Sequence, residues 1–327
     1  MVDTTHILQD IESCIAQLTE EQTTVTNLYE PISYSLKAGG KRLRPVLCCL
    51  SAQVFANYQL ALIPAIAIEL YHNHTLVHDD IMDRSSLRRG LPTVYSRWGE
   101  EQAILSGDAM LLKAYEYLDK MEDRALLAEI LPLFTRMALL VCEGQQYDIE
   151  FETRQDVTIE EYLQMIQLKT AELPAYAAKI GAICSRAASR KEIDLIYRFA
   201  IALGMAFQLQ DDYLDVYADT SVFGKPIGGD IINNKKTFLL ISAMNRAKEK
   251  DKNLLTQRLN GQLTETNEEK ISWVTDLYNR LHIPALSAEL ILRYHTQAND
   301  CLSELQSMGR NIEALKILLD KMDRRSA

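Results

Sequence analysis

Apolar residues recur at helical spacing along almost the whole chain, and nowhere do they alternate over the length of a strand. Breakers are scarce: 13 Gly and 8 Pro in 327 residues, while Leu, Ala, Ile, Glu and Lys dominate. That balance favours helix. The pattern predicts helices over 4–20, 24–38, 42–56, 60–83, 95–120, 124–151, 158–185, 190–217, 233–249, 267–281, 284–306 and 310–322. Thr158 followed by Glu161 reads as a capping box. No linker, low-complexity tract or long charge block interrupts the sequence, so residues 1–327 read as one all-α domain.

Apolar side chains make up 47% of the chain, enough for a sizeable core. The formal net charge of −10 argues against a non-specific nucleic-acid binder, which would be basic. Cys14, Cys48, Cys49, Cys142, Cys184 and Cys301 form no CxxC pair and suggest thiols in a reducing compartment. The first ten residues lack the regions of a signal peptide. Val46–Ile68 carries no formal charge, but Ser51, Gln53, Asn57, Gln59 and Pro64 make it two buried helices with a break. The expectation is a cytoplasmic protein with no stable membrane anchor.

Two acidic clusters share one spacing: Asp79-Asp80-Ile81-Met82-Asp83 and Asp211-Asp212-Tyr213-Leu214-Asp215. Each DDxxD falls late in a predicted helix, where positions i, i+1 and i+4 project to one side. Carboxylates crowded in this way repel unless cations lie among them. Oxygen-only ligation favours Mg²⁺, whose shell is normally completed by phosphate oxygens. Basic loops follow both clusters. His72 and Thr75 project near Asp79, and Gln208 projects between Asp211 and Asp212. Ala65, Ile68, Ile201 and Leu203, deeper in the same helices, are apolar. A polar mouth above an apolar shaft suits a ligand with a diphosphate head and a hydrocarbon tail.

Several blocks in order carry a resemblance to a known family. They are Gly40-Lys41-Arg42-Leu43-Arg44-Pro45, His78 to Asp83, Leu87-Arg88-Arg89-Gly90-Leu91-Pro92-Thr93, Gly144-Gln145 with Asp148, Lys169-Thr170, Phe207 to Asp215, and Gly224-Lys225-Pro226 through Gly229-Asp230 to Lys235-Lys236-Thr237. Over roughly residues 30 to 240 the chain resembles the trans-isoprenyl diphosphate synthases, the polyprenyl synthetase family. The resemblance implies a single large helical bundle around a central substrate cavity (the isoprenoid synthase type I fold), usually built as a homodimer. It implies joining of an allylic diphosphate to isopentenyl diphosphate with release of diphosphate.

The resemblance also implies roles. Asp79, Asp83 and Asp211 would hold three Mg²⁺ ions, with Mn²⁺ as a substitute, and Asp80, Asp212 and Asp215 would support them. Arg88, Lys169, Lys225 and Lys235 would meet the allylic diphosphate, whether dimethylallyl, geranyl or farnesyl. Lys41, Arg44, His72 and Arg89 would meet isopentenyl diphosphate without metal. Thr170 and Gln208 would lie beside the allylic cation. No general base is evident, and the released diphosphate would take the proton. Tyr71, His74 and Thr75 occupy the region that sets product length. The expected product is geranylgeranyl diphosphate (C20), with farnesyl diphosphate (C15) or a longer chain as alternatives. Two rivals are a class I terpene cyclase and a non-catalytic regulatory subunit. Both sit poorly with a chain that keeps both DDxxD clusters and the isopentenyl pocket.

Overall fold

The computed structural model describes residues 5–20, 25–218 and 227–323. Lys225, with Gly224 and Pro226, lies outside them. The described elements are α1 (Thr5–Glu20), α2 (Thr26–Lys37), α3 (Leu43–Gln53), a 3₁₀ turn (Tyr58–Ala61) and α4 (Leu62–Met82). There follow strands β1 (Leu87–Arg88) and β2 (Leu91–Pro92), then α5 (Val94–Trp98), α6 (Glu100–Leu118), α7 (Arg124–Thr153) and α8 (Ile159–Ile166). A π-helical turn (Gln167–Ala171) leads into α9 (Glu172–Cys184) and α10 (Arg190–Tyr217). The chain continues with α11 (Gly229–Ile232), α12 (Phe238–Arg246), α13 (Glu249–Leu259), α14 (Asn267–Arg280), α15 (Ile283–Ser307) and α16 (Glu313–Asp323).

The all-α expectation holds, and most helix positions agree within a few residues. Val46–Ile68 is two helices with a break, and Thr158 and Glu161 make both capping-box bonds. Four departures stand out. Gly99, at φ 86°, divides the predicted helix 95–120 into α5 and α6. The segment expected as helix 158–185 takes one π turn at its centre. Helix α13 was missed because its polar composition gives little apolar period. The loop after the first acidic cluster folds into a two-residue hairpin, Leu87 opposite Pro92 and Arg88 opposite Leu91. Its turn residues Arg89 and Gly90 both have positive φ (54° and 77°), as a type I′ turn requires.

The described residues fall into two compact units. Unit 1 draws on Met1–Ala138, Pro174–Tyr197 and Glu304–Leu315, and unit 2 on Leu139–Leu173, Arg198–Ser303 and Lys316–Ala327. In unit 1, α4 packs along α6 and α3, and its apolar face (Ala65, Ile66, Ile68, Leu70 and Tyr71) is fully buried. In unit 2, Phe151, Tyr162, Met165, Ile166, Met205 and Leu209 form one core cluster with Phe238 and Ile241. A second cluster gathers Val216, Leu239, Leu255, Leu277 and Tyr278. Among the described helices only α7 is long and apolar enough to cross a membrane by length and composition. It also carries Glu129, Arg136, Glu143 and Asp148.

Candidate active site

Helix α4 presents the candidate side chains of unit 1 near its C-terminal end, and the loops before α3 and after α4 carry the candidate cations. The Gly39–Arg44 loop turns through left-handed backbone at Gly39 (φ 76°), Gly40 (φ 150°) and Arg42 (φ 46°). Gly40 is favoured by its positive φ, and a Cβ there would also press on the Arg89 guanidinium, 2.9 Å from its nitrogens.

Arg44 Nη1 lies 3.1 Å from His72 Nε2. A guanidinium has only donors, so Nε2 accepts and the imidazole proton sits on Nδ1. Burial, then the charges of Arg44, Arg89, Arg88 and Arg42, hold the His72 pKa well below the usual histidine range. His72 is therefore neutral at pH 7. Burial pushes Arg44 down to about 10, with Glu69 opposing and Arg89 adding to the shift. Arg89 moves down from the same principal cause. Both keep their charge at neutral pH. Lys41, three residues before Arg44, is exposed.

The carboxylates of the first cluster diverge. Asp80 is 4% exposed, and both its oxygens accept from Arg88 Nε, at 2.9 and 3.0 Å. Arg88 Nη2 adds a contact of 2.9 Å to Asp80 Oδ1. The crowded trio read from the helical wheel thus becomes a carboxylate turned onto Arg88 and a separate exposed one, Asp83, with Asp79 half-buried. Burial raises the Asp80 pKa, and the Arg88 bonds oppose that.

The residues expected to set product length lie on α4 against α6 and α7. Tyr71 is 1% exposed, donates to the Ala138 carbonyl at 3.1 Å and packs edge-on against Phe134. His74 Nδ1 lies 2.9 Å from the Gly107 carbonyl oxygen, and its ring packs on His78 at 4.5 Å. Gly107 has no Cβ where the His78 ring sits. Thr75 Oγ1 is spent on the His72 carbonyl at 2.8 Å.

In unit 2 the second cluster is also divided. Asp212 is buried and accepts from Tyr162 Oη at 2.6 Å and Gln208 Nε2 at 2.8 Å. Asp215 Oδ2 accepts from the Asp230 backbone N–H at 2.9 Å, and Asp211 is exposed. Burial pushes Asp212 up to about 6, against the opposing pull of Lys235. Asp230 is pushed to about 6 by the same pair of effects, with Asp215, Asp211 and Asp148 adding. Lys235 Nζ lies 3.7 Å from Asp230 Oδ1, and its side chain is 41% exposed. Partial burial works to lower its pKa, but Asp212, Asp230, Asp148 and Asp211 outweigh that and raise it.

Lys169 and Thr170 ride on the π turn, a feature that recurs at functional sites. Lys169 Nζ contacts Asp148 Oδ2 at 2.5 Å, and Thr170 Oγ1 donates to Gln208 Oε1 at 3.1 Å. Two glycines hold the turn: a Cβ on Gly144 of α7 would strike the Lys169 backbone, and one on Gly204 of α10 would strike Ala171. Asp148, Tyr162, Gly204 and Asp230 adjoin the candidate residues or their segments, and the sequence reading gives them no role. Asp148 and Asp230 stood inside the recognised blocks; Tyr162 and Gly204 carried no signal.

A cavity of about 370 Å³ in unit 2 is lined by Val157, Thr158, Lys236, Leu240 and Met244, among others, and by none of the candidate site residues described above. Charge and chemistry locate the candidate site at the carboxylates instead. Among the described residues no group of three or more His, Cys, Asp or Glu side chains is arranged to hold a metal ion by itself. Mg²⁺ is usually held by one or two carboxylates, waters and substrate phosphates. Exposed Asp83 in unit 1 and exposed Asp211 in unit 2 each offer oxygen donors of the kind that ion takes.

Comparison with known proteins gives one answer. The family model described as Polyprenyl synthetase matches residues 25–277. A short chain isoprenyl diphosphate synthase of Methanothermobacter thermautotrophicus is 37% identical over 95% of this chain and 92% of its own. A geranylfarnesyl diphosphate synthase of Natronomonas pharaonis is 38% identical over 71% of this chain and 76% of its own. The crystal structure of a geranylgeranyl pyrophosphate synthase superposes with a TM-score of 0.90 at 38% identity, covering 98% of each chain.

Proposed function

The chain belongs to the polyprenyl synthetase family and is a trans-prenyltransferase, and on that premise we propose that it extends an allylic diphosphate with isopentenyl diphosphate to geranylgeranyl diphosphate. One observation carries the assignment of the second substrate. Arg44 bonds a neutral His72 and the charge of Arg89 also bears on it, a cationic site for a diphosphate that needs no metal, with exposed Lys41 in the loop that carries Arg44. A cyclase would have no use for it.

Asp79, Asp83 and Asp211 are the proposed ligands of Mg²⁺ on the allylic diphosphate. Bound there, Mg²⁺ supplies Lewis-acid stabilisation of the charge that grows on the leaving group. Asp80 acts by orienting Arg88, and Asp212 and Asp215 act by orienting Gln208 and the Asp230 loop. Arg88, Lys169 and Lys235 bind the same diphosphate as fixed cations; Lys225 joins them by resemblance. Thr170 and Gln208 turn oxygen dipoles toward the allylic cation. His72, with Nε2 engaged by Arg44, offers its Nδ1–H as a donor. No side chain is assigned as general base, and the departing diphosphate takes the proton. Tyr71 and His74 bound the product tail. The C20 assignment draws support from the geranylgeranyl synthase superposition, while the geranylfarnesyl synthase relative marks the next longer product as the competitor.

The enzyme is proposed to work as a homodimer in the cytoplasm, with Ile104, Leu105 and Leu112 of α6, all exposed, as the apolar face available for pairing. The test is product analysis of the purified chain with labelled isopentenyl diphosphate, Mg²⁺ and dimethylallyl, geranyl or farnesyl diphosphate in turn. A C20 product is expected from each. Consumption of a prenyl diphosphate without isopentenyl diphosphate would make it a cyclase. No turnover by the chain alone would make it a regulatory subunit.

A further inference from the structure

Lys41 and Arg44 flank a third cation that points elsewhere. Arg42 is 4% exposed. Its Nε donates to Glu12 Oε1 of α1 at 2.9 Å, its Nη1 to Glu69 Oε1 of α4 at 2.8 Å, and its Nη2 to the Leu36 carbonyl of α2 at 2.7 Å. Glu69 is as deeply buried, 3% exposed, and Asn73 Nδ2 bonds both its carboxylate, at 3.2 Å, and its carbonyl, at 2.8 Å. Arg42 itself stands in left-handed backbone, φ 46° and ψ 34°, immediately before α3. A non-glycine residue persists there only where its surroundings over-determine it. Three bonds to three helices do so.

The geometry is that of an anchor. While Arg42 is tied inside the protein, Lys41 of the same loop lies in solvent and Arg44 bonds His72. We propose that Arg42 is a positioning residue for isopentenyl diphosphate, pinning the Gly39–Arg44 loop to α1, α2 and α4 so that Lys41 and Arg44 are aimed at a diphosphate Arg42 never touches. This rests on the reading of Lys41, Arg44 and His72 as the metal-free diphosphate pocket. Glu69 sits three residues before His72 on α4, so the anchor and the imidazole share one rigid element. Its carboxylate is the buried counter-charge to Arg42. A lysine at position 42 would keep the charge but could not fork to three acceptors.

The test compares R42Q, R42K and R44Q in the full chain, measuring kcat, KM for each substrate, direct binding of isopentenyl diphosphate without Mg²⁺, and thermal unfolding. R42Q should raise KM for isopentenyl diphosphate by about tenfold or more while the allylic KM stays within about twofold, the scale expected when a binding group is displaced without being removed. R42K should fall between wild type and R42Q, and metal-free binding should weaken in parallel. An equal rise in both KM values, or a loss of thermal stability with both KM values unchanged, overturns the proposal. If R42Q and R42K fail to fold, E12Q removes one anchor at a half-exposed partner. A selective rise in KM for isopentenyl diphosphate then supports the role, and no change overturns it. R44Q separates the two layers. If R44Q leaves isopentenyl diphosphate binding intact, the pocket reading fails; if R44Q weakens it while the Arg42 variants do not, only the positioning role fails.

Discussion

Replacing Gly144 by alanine tests whether the π turn places Lys169, the proposed cation for the allylic diphosphate. The new Cβ would lie 2.3 Å from the Lys169 backbone nitrogen, 2.7 Å from its Cα and 2.8 Å from the Leu168 carbonyl carbon. All three are backbone atoms, so no rotamer change relieves the clash. Ordinary contact begins near 3.4 Å, and the two segments must therefore part by about 1 Å. Overpacking of this kind costs about 1–3 kcal/mol, partly offset by the roughly 1 kcal/mol that alanine gains over glycine in a helix. Stability should fall by no more than about 2 kcal/mol. The effect on turnover should be much larger, because a displacement near 1 Å moves Lys169 and Thr170 together and such misplacement costs about 10²-fold. Urea unfolding and kcat at saturating substrates, at one temperature, read the two numbers. A G144A protein with unchanged midpoint and full kcat would show that α7 yields freely and that the π turn does not set the position of Lys169.

Glu192 is held down to about 2, chiefly by the Arg310 guanidinium 2.5 Å away, with burial opposing. Its folded pKa lies below its unfolded one, so the pair stabilises above about pH 4.5 and that stability is lost as pH falls through 2. R310Q should therefore cost about 2–3 kcal/mol at pH 6 and less than half that at pH 3 by urea unfolding; a difference that does not shrink on acidification contradicts the linkage. Tyr162→Phe removes the 2.6 Å donor to Asp212 and leaves a buried carboxylate short of a partner, a loss of about 1–3 kcal/mol. It should also lower kcat through Gln208, and unchanged kcat with unchanged unfolding would remove Tyr162 from the site. Tyr71→Ala or His74→Ala should lengthen the prenyl product by mass spectrometry, and no change in either variant ends their assignment as the tail stop.

The helices were legible because their signal is local. The apolar period of α10 predicts 190–217, the span observed, and the Thr158–Glu161 capping box reads directly from two residues. Where the period is weak, as in polar α13, the element was invisible. The π turn was hidden for a different reason. A single π turn has no residue-type signature of its own, and the close approach it makes is permitted by the absence of Cβ atoms at Gly144 and Gly204, each distant in sequence. The hairpin carried a usable signal, a glycine after Arg89 in a short loop, but two residues per strand are too few to show alternation.

The site was legible as a set of charges but not as a set of bonds. Helical spacing groups three aspartates in each motif, yet one in each turns inward: Asp80 onto Arg88, and Asp212 onto Tyr162 and Gln208. Spacing fixes the direction of a Cβ, while the partner that captures a carboxylate comes from elsewhere in the chain. The same limit hid Glu69, which looks like any helix glutamate until Arg42 and Asn73 are seen around it. These captured groups explain a chemical division of labour. The diphosphate that must stay attached to its carbon is assigned to guanidinium groups and a neutral imidazole, which bind charge and donate hydrogen bonds without a Lewis acid. The diphosphate that must leave is assigned to exposed carboxylates suited to Mg²⁺. The buried carboxylates Asp80, Glu69 and Asp212 hold the contacting side chains in register, so a substitution at any of them should alter the KM for one substrate or the turnover number before it unfolds the protein.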